Sequence, residues 1–268
     1  KLRKMGKLAG EYVLRRTKEQ VLDELPPKLY RDADVELGPE QRASYEMAEK
    51  EGILRLTEMG EGATIQHVFE LVLRLKQICN FDPATGESAK LERLAADLEE
   101  IAASGKKALV FSQWVHTLTT LAQRLGRYNP LEYHGQVPAR KREGVIRRFR
   151  EDRHCPLLLI SYGAGGVGLN LQFAEYVFLF DRWWNPAVED QAINRAHRIG
   201  AAGQVTVTRF LALDTIEQRI DQVLCEKREI FDTIFSGSEP HRRAGLTHEQ
   251  IFGLFQLKSP AGVIRNAA

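Results

Sequence analysis

Cysteine, net charge and long apolar runs are all scarce in this 268-residue chain. Cys79, Cys155 and Cys225 are odd in number and lie far apart, a spacing that makes neither a disulfide framework nor a zinc ribbon and suits a reducing compartment. The seven histidines include no H-E-x-x-H pair and no Cys/His cluster, so no metal site is expected. No apolar stretch approaches the ~18 residues that a membrane-spanning helix needs, and no membrane partner is expected. The 38 basic and 36 acidic residues leave a formal charge of +2, so no global field points to a nucleic-acid partner. A phosphate loop of the form G-x-x-x-x-G-K-[S/T] is missing as well. The nearest stretch, Ser104-Gly105-Lys106-Lys107, lacks the first glycine and the hydroxyl. No Asp-Glu pair follows an apolar strand to hold magnesium, so any work on ATP would use half a site. The opening residues Lys1-Leu2-Arg3-Lys4 carry no initiator Met and no signal-peptide core, and a piece of a longer intracellular protein is expected.

What is present is a globular composition, with 43% hydrophobic and 28% charged residues. The near-zero charge hides local patches. Basic residues outnumber acidic ones seven to two over positions 1–20 (+5) and seven to three over positions 140–153 (+4). The second patch has two readings, a solvated helix face or a face that tracks phosphates.

Residues 1–38 read as a connector with a short strand from Leu29 to Leu37. Residues 39–86 read as a helical protrusion, one helix opening at Glu40 and a second running from Ile65 to Ile78 with Val68, Leu71, Val72 and Leu75 at a 3.6-residue period. From 87 to 235, short apolar strands at 108–111, 131–133, 157–160, 176–180 and 205–211 alternate with helical patterns. These include Glu189 to Ala196 and a long helix from Thr215 to Phe235. That alternation predicts an α/β fold, a parallel sheet with helices on both faces. Residues 236–268 form a tail with one helical segment near Glu249 to Phe255.

Gly163-Ala164-Gly165-Gly166-Val167-Gly168 follows a strand and matches the dinucleotide fingerprint, with Asp181 standing where a ribose-binding acid would be. The crossover disfavours that reading: Leu169 to Tyr176 is too short for a helix of the ~10–12 residues such a unit needs. Two bland readings stand beside it, a ligand-free glycine turn, and core packing for one of the two tryptophans Trp183 and Trp184.

A set of ordered blocks carries a sharper signal. They are Leu14-Arg15-Arg16-Thr17-Lys18 with Leu25-Pro26-Pro27-Lys28, Leu109 to Trp114, His134-Gly135, Ala164 to Leu171, Asp181 to Pro186, and Gln191 to Gly200. Together they span residues 14–200, and this order resembles the C-terminal, RecA-like lobe of SWI/SNF-type ATPases in helicase superfamily two. The resemblance implies a RecA-like parallel sheet with a helical protrusion and a C-terminal helical tail. It also implies an ATP-hydrolysing double-stranded-DNA translocase that remodels nucleoprotein without separating strands, placed in the nucleoid or cytoplasm of a microbe or in a nucleus. ATP with magnesium would be held mainly by an N-terminal RecA-like lobe of the same protein. This chain would supply the arginine fingers Arg195 and Arg198, three apart on one helix face, with Gln191 placing the nucleotide or the attacking water.

By the same resemblance, Gly165, Gly166, Gly168 and Asn170 would meet the nucleotide side of the cleft. Bare amides at Gly165 and Gly166 would suit phosphate oxygens. Ser112, Gln113, Trp114, His134, Gly135, Ser161 and Trp184 would meet the DNA backbone, and Arg15 and Arg16 would lie near the nucleotide cleft. Two departures from the pattern stand out: Gly163 sits where a Lys or Arg is common, and Ala201 follows Gly200 where a Gln is common. Two other classes stay open, a nucleic-acid-binding module without a motor and a dinucleotide-binding oxidoreductase domain. The ordinary reading of Arg195 and Arg198 is an ion-paired surface helix.

Overall fold

The protein's structure is a computed structural model that describes residues 27–164, 169–183, 185–198, 203–235 and 247–257, with backbone alone over 226–235 and at His248. Among the described residues, six strands form one parallel sheet: β1 (Lys28–Val35), β2 (Ala108–Ser112), β3 (Leu131–Tyr133), β4 (Leu157–Ser161), β5 (Tyr176–Leu179) and β6 (Val205–Ala212), in the order β1-β6-β5-β2-β4-β3. The helices are α1 (Pro39–Met59), α2 (Ile65–Asn80), α3 (Ala89–Ala103), α4 (Val115–Arg124), α5 (Ala139–Glu151), α6 (Pro186–Ile193), α7 (Ile216–Phe235) and α8 (His248–Gly253).

The inner strands β2, β4 and β5 are apolar almost throughout because both faces of the sheet are covered there. All five residues of β2 and of β4 are buried. Their side chains divide by parity: Ala108, Val110, Leu157, Leu159 and Phe178 join a core shared with α1 to α4, α7 and α8. Leu109, Phe111, Leu158, Ile160, Val177 and Leu179 join a second core with Phe149 of α5 and Ala192 and Ile193 of α6. The expected α/β sheet with helices on both faces is therefore present.

The short strand expected at Leu29–Leu37 is β1, which takes the sheet edge beside β6. Asp32 receives two bonds from Arg209 at 2.6 and 2.7 Å, and Arg31 reaches Asp97 of α3 at 2.6 Å. Leu71 of α2 packs onto the bare backbone of Gly52 in α1, where a Cβ would collide with its side chain. α8 seals the outer side of α2 and α7 with Ile251, Phe252, Leu254 and Phe255, all buried. Arg219 of α7 clasps this segment by donating to the Leu254 carbonyl at 3.1 Å while pairing with Glu49 of α1.

Candidate nucleotide and nucleic-acid site

In an open parallel sheet, ligands meet the carboxyl ends of the strands. Here those ends are level, because Ser112 pairs with Ser161, Tyr133 with Ile160 and Phe111 with Leu179. The residues that follow, Gln113-Trp114, His134-Gly135, Tyr162 to Ala164 and Asp181 to Trp183, therefore crowd one edge. Of the site residues expected from sequence, Ser112, Gln113, Trp114, His134, Gly135 and Ser161 are there.

Asp181 is the anchor of that edge. It is fully buried and accepts from the Ser112 hydroxyl at 2.5 Å, the Gln113 amide at 2.9 Å and Asn80 Nδ2 at 3.1 Å. Burial pushes its carboxyl above the usual range, opposed by the nearby ammonium groups of Lys76 and Lys90 and by these hydrogen bonds. With its oxygens taken by protein donors, Asp181 cannot serve a ribose, and the described part of the crossover, residues 169–175, holds turns and no helix. The dinucleotide fingerprint is thus a coincidence of letters. Ser112 needs a correction as well. It is fully buried, and its hydroxyl points inward to Asp181 instead of toward a phosphate.

The rest of the edge is more open. The Gln113 side chain donates to the Arg182 carbonyl at 2.7 Å, and the Trp114 ring lies 5.6 Å from Lys76 Nζ. His134 is buried, with Nε2 at 3.1 Å from Glu132 Oε2, while Gly135 is exposed. Arg142 wraps the His134 loop by donating to the Val137 and Gly135 carbonyls at 3.0 and 3.2 Å. The Ser161 hydroxyl accepts from the Ala164 amide at 3.3 Å, turning the chain toward the glycine loop. Trp183 is half-buried and packs on the second core, its ring 5.6 Å from that of Tyr162. Asn170 is exposed and closes a local turn by accepting from the Gln172 amide at 3.4 Å. Gly165, Gly166, Gly168 and Trp184, together with Arg15 and Arg16, lie outside the described residues.

The finger segment departs from the helix expected over Glu189–Ala196. Asn185 caps α6 by accepting from the Ala187 amide at 3.0 Å, and the helix ends at Ile193. Arg195 and Ala196 bond three residues back, to Ala192 and Ile193, both at 3.1 Å. The Arg195 carbonyl, which a continuing helix would offer four residues ahead, accepts from the Leu171 amide at 3.0 Å. Arg195 and Arg198 therefore sit in turns beyond the regular helix, with the Arg195 backbone stitched to the exit of the glycine loop. Arg195 is 5% exposed, and burial, with the charge of Arg198 added, lowers its pKa below the arginine norm. Arg198 is half-buried, with Nε on the Asn194 carbonyl at 3.2 Å, and Gln191 is exposed on α6. Two coupled guanidinium groups, one of them desolvated, are a donor set that suits a multiply charged anion such as a triphosphate.

Sequence reasoning missed the charges under this edge. Lys90 is fully buried and donates to Glu217 at 2.7 Å, Asn80 Oδ1 at 3.1 Å and the Phe180 carbonyl at 3.1 Å. Lys76 donates to the Arg182 carbonyl at 2.6 Å. Arg182 in turn pairs with Glu189 at 2.8 Å and Asp221 at 2.9 Å. A signal was available: Lys76 lies on the stripe of Val72, Leu75 and Cys79, and Lys90 on that of Leu94, Leu98 and Ile101. A lysine at a core position needs a buried partner.

Comparison with known proteins bears on these features. Residues 89–200 match the model of the helicase conserved C-terminal domain, and residues 1–84 match the SNF2-related domain. The chain is 33% identical over 264 residues to an ATP-dependent helicase of Mycoplasma genitalium, covering 94% of this chain and 25% of the relative. It is 31% identical over 264 residues to the protein CHROMATIN REMODELING 4 of Arabidopsis thaliana, covering 89% of this chain and 12% of the relative. The chain thus spans a quarter or less of the length of these two relatives. Among solved structures, the Sulfolobus solfataricus SWI2/SNF2 ATPase core in complex with dsDNA superposes with a TM-score of 0.65 at 29% identity, over 88% of this chain and 52% of that one. The C-terminal domain of the same ATPase gives a TM-score of 0.65 at 26% identity, over 86% of this chain and 99% of that one.

Proposed function

The chain belongs to the SWI2/SNF2-type ATPases as their C-terminal RecA-like lobe, and from that premise we propose that it is the finger-bearing, DNA-gripping half of an ATP-dependent double-stranded-DNA translocase. The observation that carries this reading is the convergence of two kinds of group on one sheet edge. The Arg195 carbonyl is stitched to the glycine-loop exit, and the charge of Arg198 bears on the Arg195 guanidinium. Gln113, Trp114, His134, Gly135 and Ser161 stand at or just after the level carboxyl ends of β2, β3 and β4. The Sulfolobus relative bound to duplex supports the choice of DNA.

In this reading residues 1–38 connect the lobes, with Lys28–Val35 also closing the sheet edge; 39–86 form the protrusion, 87–235 the lobe and 236–268 the tail. The missing N-terminal lobe supplies the phosphate loop and the magnesium carboxylates that this sequence lacks. ATP held between the lobes supplies the phosphoryl group and the free energy. Arg195 and Arg198 neutralise charge that develops on its terminal phosphate, and Gln191 orients the nucleotide or the attacking water. The grip is on the backbone and reads no sequence. A nucleoprotein is the object moved, in the nucleoid or cytoplasm of a microbe or in a nucleus. Among the described residues, no helix is long and apolar enough to cross a membrane.

Two outcomes follow. This chain alone is expected to hydrolyse no ATP, and the two-lobe protein to show duplex-stimulated turnover. Robust turnover by the chain alone sinks the split-site account, and duplex binding without any turnover in the two-lobe protein favours a binding module instead. The exposed basic face of α5 also has a measurable signature. Replacing Lys141 and Arg147 by Gln should weaken duplex binding equally for unrelated sequences, and should flatten the log Kd against log salt slope by about 0.9 per lost phosphate contact. An unchanged slope would return that helix to an ordinary solvated face.

A further inference from the structure

Two buried side chains of α2 join the protrusion to the loop after β5: Asn80 donates to Asp181 at 3.1 Å, and Lys76 reaches the next residue, Arg182. Lys76 lies just before the last turn of α2 and is 2% exposed. Its ammonium donates to the Arg182 carbonyl at 2.6 Å and lies 5.6 Å from the centre of the Trp114 ring. The same carbonyl accepts from Gln113 Nε2 at 2.7 Å, so two donors from different elements converge on one acceptor. The Trp183 amide donates to Glu189 at 2.8 Å, and the Arg182 side chain bridges Glu189 of α6 and Asp221 of α7. Arg182 is therefore the node at which the loop after β2, the loop after β5, α6 and the long α7 meet, and Lys76 is the protrusion's hold on it. Burial lowers the pKa of Lys76, and Asp181, Glu217 and Glu189 raise it. A desolvated ammonium so placed is costly and would be poor value as mere filler.

We propose that Lys76 is a positioning residue for the DNA grip, setting the loops Ser112–Trp114 and Asp181–Trp183 in the arrangement that meets the backbone. This rests on the reading of the chain as half of a DNA translocase. The protrusion then acts on the grip through the C-terminal part of α2 and is more than a spacer beside the lobe.

A methionine at 76 keeps the stem and removes the donor, and replacing buried charge by a hydrophobic residue of similar volume is often tolerated. In the two-lobe protein, Lys76→Met is expected to raise the duplex concentration for half-maximal ATPase about tenfold, the scale of a lost charged hydrogen bond, while turnover at saturating duplex changes little. Lys76→Arg keeps a donor and a cation beside Trp114 and should recover most of the affinity. A second measurement needs no substitution in the protein observed. The side-chain ¹⁵Nζ resonance of Lys76, assigned by its disappearance in Lys76→Arg, should move when duplex is added to the wild-type protein, with Lys90 as the buried control. An unchanged half-saturation in Lys76→Met, or a Lys76 resonance that ignores saturating duplex, overturns the positioning role. If instead the wild-type two-lobe protein shows no duplex-stimulated turnover, the translocase reading itself has failed, an outcome distinct from the other two.

Discussion

Replacing Arg198 by alanine in the two-lobe protein is expected to lower ATP turnover at saturating duplex by roughly 10³-fold or more, the scale of a lost arginine finger, while the Kd for duplex changes little. Arg198 is the better of the two fingers to test. Arg195 is 5% exposed and its carbonyl holds Leu171, so truncating it mixes a folding defect with a catalytic one. Arg198 is half-buried, and its Nε donates to the Asn194 carbonyl at 3.2 Å, so its truncation removes less of the fold. Lysine at 198 keeps the charge and loses the planar fork, and should recover only part of the rate. Single-turnover hydrolysis separates this from nucleotide binding. Turnover within tenfold of wild type in Arg198→Ala would end the finger assignment.

The second large effect is on stability. Lys90 and Glu217 are both fully buried at 2.7 Å, and breaking such a pair from one side strands a charge at a cost of about 3–5 kcal/mol. Lys90→Met should therefore lower Tm by roughly 10 °C, at 2–4 °C per kcal/mol for a domain of this size. The remaining carboxylate also accepts from the Ala212 amide at 3.1 Å, so it cannot turn away without opening the β6–α7 junction. Adding Glu217→Gln to Lys90→Met removes the stranded charge and should recover a large share of the loss. Thermal melts of the four proteins form a double-mutant cycle. Coupling below about 1 kcal/mol would show that the knot is not one unit, since residues sharing a buried network normally couple by more than that.

The two predictions divide the molecule as the sequence did not. The fingers belong to strings whose letters stand close together, and Gln191 to Gly200 is recognisable before any coordinates exist. The knot of Lys76, Asn80, Lys90, Asp181 and Glu217 draws its members from four places along the chain, Lys76 and Asn80 sharing α2, and no window of neighbouring residues contains it. Its only local trace is a lysine on an apolar stripe of α2 and another on α3. Similar reasons explain the two misreadings. Helical spacing continued past Ile193, but the helix stops because the Arg195 carbonyl takes its bond from Leu171, 24 positions earlier in the chain. The family resemblance sets Ser112 against the DNA backbone, yet the carboxylate its hydroxyl meets stands 69 residues away.

What the sequence determined by itself was local and periodic. The apolar runs set the inner strands of the lobe, the 3.6-residue stripes set the helices, and the ordered strings identified the C-terminal lobe of an SWI2/SNF2-type ATPase. The tertiary structure alone decided which partner each long-range group meets. It placed β1 beside β6, with Asp32 and Arg209 bonded across 177 positions, turned Ser112 inward, ended α6 early, and paired the buried lysines. Periodicity encodes the side of an element that faces the core, because burial of apolar surface is short-ranged and non-directional. The identity of a buried charge's partner is directional and depends on the whole packing, so it becomes visible only when the chain has folded.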